Sequence, residues 1–337
     1  MKYRVLGRTG IRVSEIGFGA WGIGGCTPGD TSYGETDDCV SRDALARAFD
    51  VGINFFDTSN VYGRSEHLIG DTFRDRRDRV VIATKAGFTA YDRPPDYSPA
   101  HIRRSLEESL RSLHSDYVDL LQLHNPTLDV LGEDRGALQT LEALQREGKI
   151  RAYGMSFKSP EECVTGIREH AIPVVQANLS MMDLRALDCG LLDVAVQHQA
   201  AVIARTPLCF GFLSGKVGED TSFSEGDHRR RWSQEQRNRW AEGARRLFDA
   251  VSIPVDQTHT QVALRFCLSF PAVATVIPGI LTPEEASENA AAGDYGPLLA
   301  DQVGHVIEIN RSMDFVVKRP LPLDQPGGHK PDVRKSN

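Results

Sequence analysis

The 337 residues are 40% apolar and carry a net charge of −7, enough to bury a large core in one domain of barrel size. That charge, with no basic stripe, excludes nucleic acid as an expected partner, and no segment approaches the roughly 18 continuous apolar residues of a membrane span. Six cysteines without Cys-x-x-Cys spacing read as reduced thiols rather than a disulfide or zinc framework, so no metal site is expected. The start, Met1-Lys2-Tyr3-Arg4-Val5, lacks the apolar run of a signal peptide, and a cytoplasmic protein is expected.

Along the chain, short apolar strands alternate with longer helical patterns, the sequence form of repeated β-α units. Strands are expected at residues 15–19, 54–58, 80–85, 117–124, 150–156, 174–178, 201–206 and 275–278. Between them, residues 41–50 place Ala44, Leu45, Ala48 and Phe49 at helical spacing. Residues 99–113 follow Ser98 as a cap, with Pro99 in the first turn. Residues 137–147 stop at Gly148, and 159–169 open on Ser-Pro-Glu-Glu. The stretch 208–257 breaks the rhythm, as a binding insertion would, and contains Gly211-Phe212-Leu213-Ser214-Gly215-Lys216 and a helical pattern at 240–248. The run Arg229-Arg230-Arg231 inside it reads as a solvated helix start or loop. Residues 1–319 are expected to form a single domain, and 320–337, rich in Pro, Gly and charge, a mobile tail.

Eight strands in alternation with helices predict a closed (β/α)8 barrel of the α/β class, whose active site lies at the C-terminal strand ends. Asp57, Lys85, His124, Ser156, Gln176, Arg205 and Gly279 all fall at or just past such ends. An open doubly wound sheet is the competing architecture. It lacks support because Gly22-x-Gly24-Gly25 is followed by no helix and no Gly-x-Gly-x-x-Gly turn is present early in the chain.

Tyr62 follows Asp57 in the turn Asp57-Thr58-Ser59-Asn60-Val61-Tyr62-Gly63. A phenol has a pKa of about 10, high for an acid at neutral pH. A charged Lys85 beside it would lower that value, and Asp57 would hold the lysine in place. The same residues also read as a buried Asp57–Lys85 ion pair with Tyr62 and His124 at its rim.

The Asp57-to-Tyr62 segment, Thr84-Lys85 and Leu123-His124-Asn125-Pro126, together with the Leu6-Gly7-Arg8-Thr9-Gly10 hairpin, resemble the signature of the aldo-keto reductases, from the N-terminus to about Asn289. The resemblance implies an oxidoreductase interconverting a carbonyl and an alcohol with a nicotinamide cofactor, since no side chain carries a hydride. It makes Tyr62 the proton donor, with Asp57, Lys85 and His124 completing a tetrad. It assigns Ser156 and Gln176 to the cofactor carboxamide, Ser214-Gly215-Lys216 to a loop over the pyrophosphate, and Gly279 and Asn289 to the adenosine end. Arg205, in Arg205-Thr206-Pro207-Leu208, stands where an aromatic ring commonly stacks on the nicotinamide, and Thr206 and Leu208 adjoin it. An alternative is that Arg205 binds an anionic group of the substrate.

This sequence departs from the family pattern at Phe157, where Asn is usual, at Arg205, and at Leu281 and Glu285, where a cation usually grips the 2′-phosphate. NADP(H) is the cofactor by resemblance, and NAD(H) stays open because a carboxylate repels phosphate yet accepts from a ribose hydroxyl. Trp21, Phe88, Tyr91, Asn125 and Phe210 follow strand ends and read as substrate-pocket or core residues. The substrate implied is a small carbonyl or alcohol, with no oligomeric state fixed. A regulatory subunit like the β subunits of voltage-gated potassium channels is the competing reading, with little turnover.

Overall fold

The computed structural model describes residues 1–27, 32–132, 136–251 and 253–316. The expected tail at 320–337 lies outside the described residues. An antiparallel hairpin, β1 (Tyr3–Val5) and β2 (Arg12–Ser14), comes first. Eight parallel strands follow, hydrogen-bonded in chain order: β3 (Phe18–Gly19), β4 (Phe55–Asp57), β5 (Val81–Ala86), β6 (Val118–His124), β7 (Ile150–Ser156), β8 (Val174–Asn178), β9 (Ala201–Arg205) and β10 (Val273–Ile277). The sheet closes on itself through the parallel bridges Ile16↔Val276 and Gly19↔Gly279. The architecture is the expected (β/α)8 barrel, and each expected strand is present within two residues at each end, except that β3 is shorter.

The helices depart from one per strand. They are α1 (Asp38–Asp50), α2 (Ser65–Phe73), α3 (Pro99–Ser112), α4 (Ala137–Arg146), α5 (Pro160–His170), α6 (Arg185–Asp188), α7 (Leu191–Gln197), α8 (Gln234–Val251), α9 (His259–Leu268), α10 (Pro283–Tyr295) and α11 (Ala300–Arg311). The connection from β8 to β9 uses two short helices, broken by Gly190 at φ 75°. The connection from β9 to β10 carries α8 and α9, which accounts for the long insertion. Helix α1 begins before residue 41 because the Asp37 carboxylate accepts from the backbone N–H of Cys39 and Val40, 2.7 and 3.2 Å away. Ser98 caps α3 as expected, its hydroxyl accepting from His101 N–H.

Side-chain alternation explains how this frame makes a site. Successive strand residues point to opposite faces. Phe56, Ile82, Leu121, Leu123, Val175, Val202 and Ala204 face outward into the layer shared with the helices. Phe55, Val81, Ala83, Leu120, Val174, Ala201 and Ile203 face inward, where Leu6, Ile11 and Val13 of the hairpin region plug the bottom of the barrel. Continuing the inward set by twos reaches Asp57, Lys85, Gln122 and His124, Ser156, Gln176 and Asn178, and Arg205. The apolar filling therefore gives way to polar groups towards the C-terminal end of each strand. No helix among the described residues is long and apolar enough to cross a membrane.

Candidate active site

The buried Lys85 ammonium donates to Asp57 Oδ1 at 2.6 Å and to the carbonyl of Thr58 at 2.8 Å. It also sits 4.7 Å from the centroid of the Tyr62 ring. The other oxygen of Asp57 accepts from Gln122 Nε2 at 3.1 Å and Gln176 Nε2 at 2.8 Å. The carboxylate is thus fixed on both sides. Gln122 was absent from the sequence-derived site; its signal was a lone amide two residues before His124, on the same face of an apolar strand.

The Tyr62 turn is held by backbone contact. A Cβ on Gly24 would lie 1.9 Å from the Tyr62 carbonyl oxygen, and a Cβ on Gly63, where φ is +56°, would lie 2.2 Å from the Gly24 oxygen. Arg64 N–H donates to that same oxygen at 3.0 Å. Gly22-x-Gly24-Gly25 therefore clamps the loop that carries the phenol, a close approach open only to glycine.

The imidazole of His124 meets the Tyr62 ring edge-on at 5.8 Å. Its Nδ1 lies 3.3 Å from the Ser59 hydroxyl. Phe88 packs on the imidazole at 5.2 Å and passes its carbonyl to Asn60 Nδ2. It backs His124 and also packs on Tyr91 at 5.9 Å. Burial, with the charges of Lys85, Arg205 and Lys158, holds the His124 pKa well below 6.5, so the ring is neutral at working pH. Because the folded pKa is depressed, the unfolded chain alone takes up this proton below pH 6.5. Stability contributed by the neutral ring is present above that pH and is lost as pH falls. In His124→Gln, thermal unfolding followed against pH is expected to show a shallower decline below pH 6.5. An unchanged slope would mean that the imidazole is protonated in the folded state.

Tyr62 corrects an expectation. Burial first, and the Asp57 carboxylate second, push its phenol well above the ordinary value; Arg205 and a hydrogen bond from Tyr91 pull the other way. The net direction is therefore the opposite of the expected lowering, while the Lys85 ammonium is hydrogen-bonded to Asp57 at 2.6 Å and to a backbone carbonyl. Burial also pulls the Lys85 pKa down, while Asp57 holds it up.

These groups open into a cavity of about 550 Å³, within the usual range of a small-molecule site. Its wall includes Trp21, Tyr62, Tyr91, Asn125 and Phe210, and also Thr206, Leu208, Ser214, Lys216, Gly279, Glu285 and Asn289. Lys85, Ser156 and Gly215 lie behind it. Ser156 donates to Gln176 Oε1 at 3.2 Å and so fixes that side chain; the amides of Gln176, Asn125 and Asn178 on the wall are of the donor and acceptor types that pair with a carboxamide. Nothing lies within 4 Å of a Cβ added to Gly279, which leaves open space on that wall. This donor set and this opening fit a nicotinamide nucleotide.

Arg205 does not present a free guanidinium. Its Nε donates to Asn178 Oδ1 at 2.8 Å, Nη1 to Ser156 Oγ at 3.0 Å and Asn125 Oδ1 at 3.5 Å, and Nη2 to the Phe157 carbonyl at 2.9 Å. Asn178, two residues beyond Gln176, was also missed. Arg229 is another correction: it is paired with Asp227 at 2.7 Å and stacked on Tyr33 and Phe223, so it belongs to the cavity wall and not to a solvated run. Lys216 bridges to Glu288 of α10 at 3.0 Å.

The aldo/keto reductase family model matches residues 15–311. This chain belongs to the aldo/keto reductase family. It is 30% identical to an uncharacterized oxidoreductase of Bacillus subtilis (strain 168), YqkF, over 90% of this chain and 94% of that protein. It is 28% identical to a probable voltage-gated potassium channel subunit beta of Oryza sativa subsp. japonica, covering 91% and 96%. The holo form of an aldo-keto reductase from Bacillus halodurans superposes with a TM-score of 0.74 at 28% identity, covering 94% of this chain and 98% of that one. The reductase is an NAD(P)H-dependent enzyme acting on a small-molecule carbonyl.

Proposed function

We propose that this reductase converts an aldehyde or ketone to an alcohol, reversibly, with Tyr62 as the proton donor. The observation that carries the reading is the convergence of Tyr62, His124, Asp57 and Lys85 at one cavity, with the phenol, the imidazole and the Asp57 carboxylate on the wall and Lys85 paired to Asp57 behind them. The bound nicotinamide supplies the hydride. Tyr62 supplies the proton to the carbonyl oxygen. Neutral His124 donates from Nε2 to the same oxygen and orients it, with the Ser59 hydroxyl turned towards Nδ1. Asp57 and Lys85 fix the floor beneath the phenol. Ser156 and Gln176 hold the carboxamide, and Ser214, Gly215 and Lys216 cover the pyrophosphate. Gly279, Glu285 and Asn289 receive the adenosine end, and the enzyme works in the cytoplasm.

A carbonyl panel run with NADPH and NADH side by side tests this reading. Turnover of simple aldehydes at ordinary enzyme rates supports it. Tight nucleotide binding with negligible turnover across the panel would favour a regulatory subunit instead.

NADP(H) is the cofactor by family resemblance, and NAD(H) is supported by Glu285. That carboxylate accepts from Leu281 N–H at 2.8 Å and lies on the cavity wall at the start of α10, where it opposes a 2′-phosphate. Glu285→Arg is expected to shift the ratio of dissociation constants towards NADPH by about tenfold or more, as for a charge-assisted hydrogen bond. Added salt weakens the gain. Glu285→Gln keeps an acceptor for Leu281 N–H and removes the charge, and is expected to move the ratio part of the way. Identical ratios in all three proteins would remove this loop from the adenosine site.

A further inference from the structure

We propose that the Tyr91 hydroxyl is a second donor at the reacting oxygen: it donates to the Tyr62 phenol oxygen and holds the charge left there when the substrate takes the Tyr62 proton. The inference rests on Tyr62 as the proton donor and deepens that reading. In the step, the Tyr62 O–H bond breaks and an O–H bond forms on the substrate, while the electron pair for the carbon comes from the reduced nicotinamide. A negative charge remains on a buried phenol oxygen, where it is costly without a partner.

The segment that carries Tyr91 is tied to both sides of the acid. Residues 87–98 join β5 to α3, and Asp96 N–H donates to the Gly87 carbonyl at 2.7 Å, which closes the loop at its base. At one end Asn60, two residues before Tyr62, donates from Nδ2 to the Phe88 carbonyl at 2.7 Å. At the other the Tyr97 hydroxyl donates to the His124 carbonyl at 2.7 Å. The loop is thus fixed to the turn that bears the phenol and to the strand that bears the imidazole. Between these ties Phe88 packs on Tyr91 at 5.9 Å, and the Tyr91 ring meets His124 edge-on at 6.1 Å and 83°. Tyr62 meets the same imidazole at 5.8 Å and 86°, and both phenols lie on the cavity wall. Their hydroxyls are hydrogen-bonded to each other. Burial, and then the charge that Tyr62 takes on, push the Tyr91 phenol well above its ordinary value, so Tyr91 keeps its proton and is the donor of the pair.

This contact leaves room for substrate. A phenol donates one hydrogen and accepts through its lone pairs. Tyr62 can therefore accept from Tyr91 while its own hydrogen points at the carbonyl oxygen, and Tyr91 stays in place through the reaction. The charged and titratable groups around the Tyr62 phenol are Asp57 of β4, Lys85 of β5, His124 of β6, Arg205 of β9 and Tyr91; Asp57 and Arg205 act on Tyr91 too. Tyr91 adds a hydrogen bond at the oxygen itself to the field of the Lys85 ammonium, which lies 4.7 Å from the ring centroid. A hydrogen bond to an ionised group is stronger than one to a neutral group. The contact therefore strengthens as the proton leaves and favours the transition state over the ground state.

Two changes at position 91 of the whole enzyme, assayed with bound cofactor in both directions, test the proposal. Tyr91→Phe keeps the ring against Phe88 and His124 and removes the hydroxyl alone. Site-specific 3-fluorotyrosine at position 91 keeps ring and hydroxyl and makes the hydroxyl a stronger donor. In Tyr91→Phe, kcat for carbonyl reduction is expected to fall about tenfold or more, the usual worth of a hydrogen bond to a charged group, with substrate KM nearly unchanged. The rise of alcohol oxidation with pH follows the phenolate. It is expected to be displaced about one pH unit or more to the alkaline side, because the phenolate has lost a donor. With 3-fluorotyrosine it is expected to move to the acid side, and a merely structural role would not produce displacements of opposite sign. An unmoved pH profile in Tyr91→Phe overturns the proposal. So does a KM rise with unchanged kcat, which would make Tyr91 a substrate contact, and so does a faster Tyr91→Phe, which would make it an obstruction. Were Tyr91→Phe to misfold, the fluorinated protein decides alone, and an unmoved profile there overturns the proposal. If Tyr62→Phe stays active, the donor assignment falls; if Tyr62→Phe is inert and the position-91 profiles are unmoved, only the present inference falls.

Discussion

Tyr62→Phe is expected to lower carbonyl reduction by about 10²–10⁴-fold, the usual worth of a general acid, while nucleotide binding persists. The ring would keep its contacts, because Lys85 faces its centroid and His124 meets it edge-on. The lost atom is the hydroxyl alone. Fluorescence titration of the cofactor and turnover, measured on one preparation, separate binding from chemistry. Retention of more than about a tenth of wild-type turnover would disprove the assignment, since it lies outside the range of a lost acid. Water or His124 would then be the proton source.

Lys85→Met is expected to cost stability as well as rate. It leaves the buried Asp57 carboxylate without its ammonium, and stripping one partner from a buried ion pair typically costs about 3–5 kcal/mol. The amides of Gln122 and Gln176 still donate to Oδ2, which puts the loss at the lower end of that range. An uncompensated Asp57 also pushes the phenol further up, as it does already, so turnover falls at neutral pH. The double variant Asp57→Asn with Lys85→Met removes both charges. It is expected to recover most of the stability in urea unfolding while turnover stays low. If the double variant is no more stable than Lys85→Met, the ion pair is not what the single change breaks.

Much of the fold was legible because it rests on local signals. Apolar runs at Val80–Val81–Ile82 or Val118 to Leu123 mark strands, and Ser98-Pro99 marks a helix start. The strand-end positions of Asp57, Lys85, His124, Ser156, Gln176 and Arg205 follow from counting along those runs. Gln122 and Asn178 carried the same period-two signal and were overlooked because each sits beside a more conspicuous residue. Other features depend on contacts between distant segments, which no local pattern encodes. The cation of Arg229 has its partner two residues away, yet its place on the wall depends on Tyr33, far earlier in the chain. The direction in which the Tyr62 phenol is pushed depends on how deeply it is buried and on the Asp57 carboxylate beside it. Neither is visible in the order of residues.

The contact between Gly24 and the Tyr62–Gly63 backbone divides the cavity into parts that differ in what further evolution can do with them. Trp21, Phe210 and Leu208 present side chains, so selection for a new substrate can exchange them one at a time. The acid's own placement has no such freedom, because any side chain at Gly24 or Gly63 would collide with main chain. A laboratory library that spares those two glycines and randomises the aromatic wall is therefore expected to yield altered specificities at a high rate. One that includes them is expected to return mostly inactive clones.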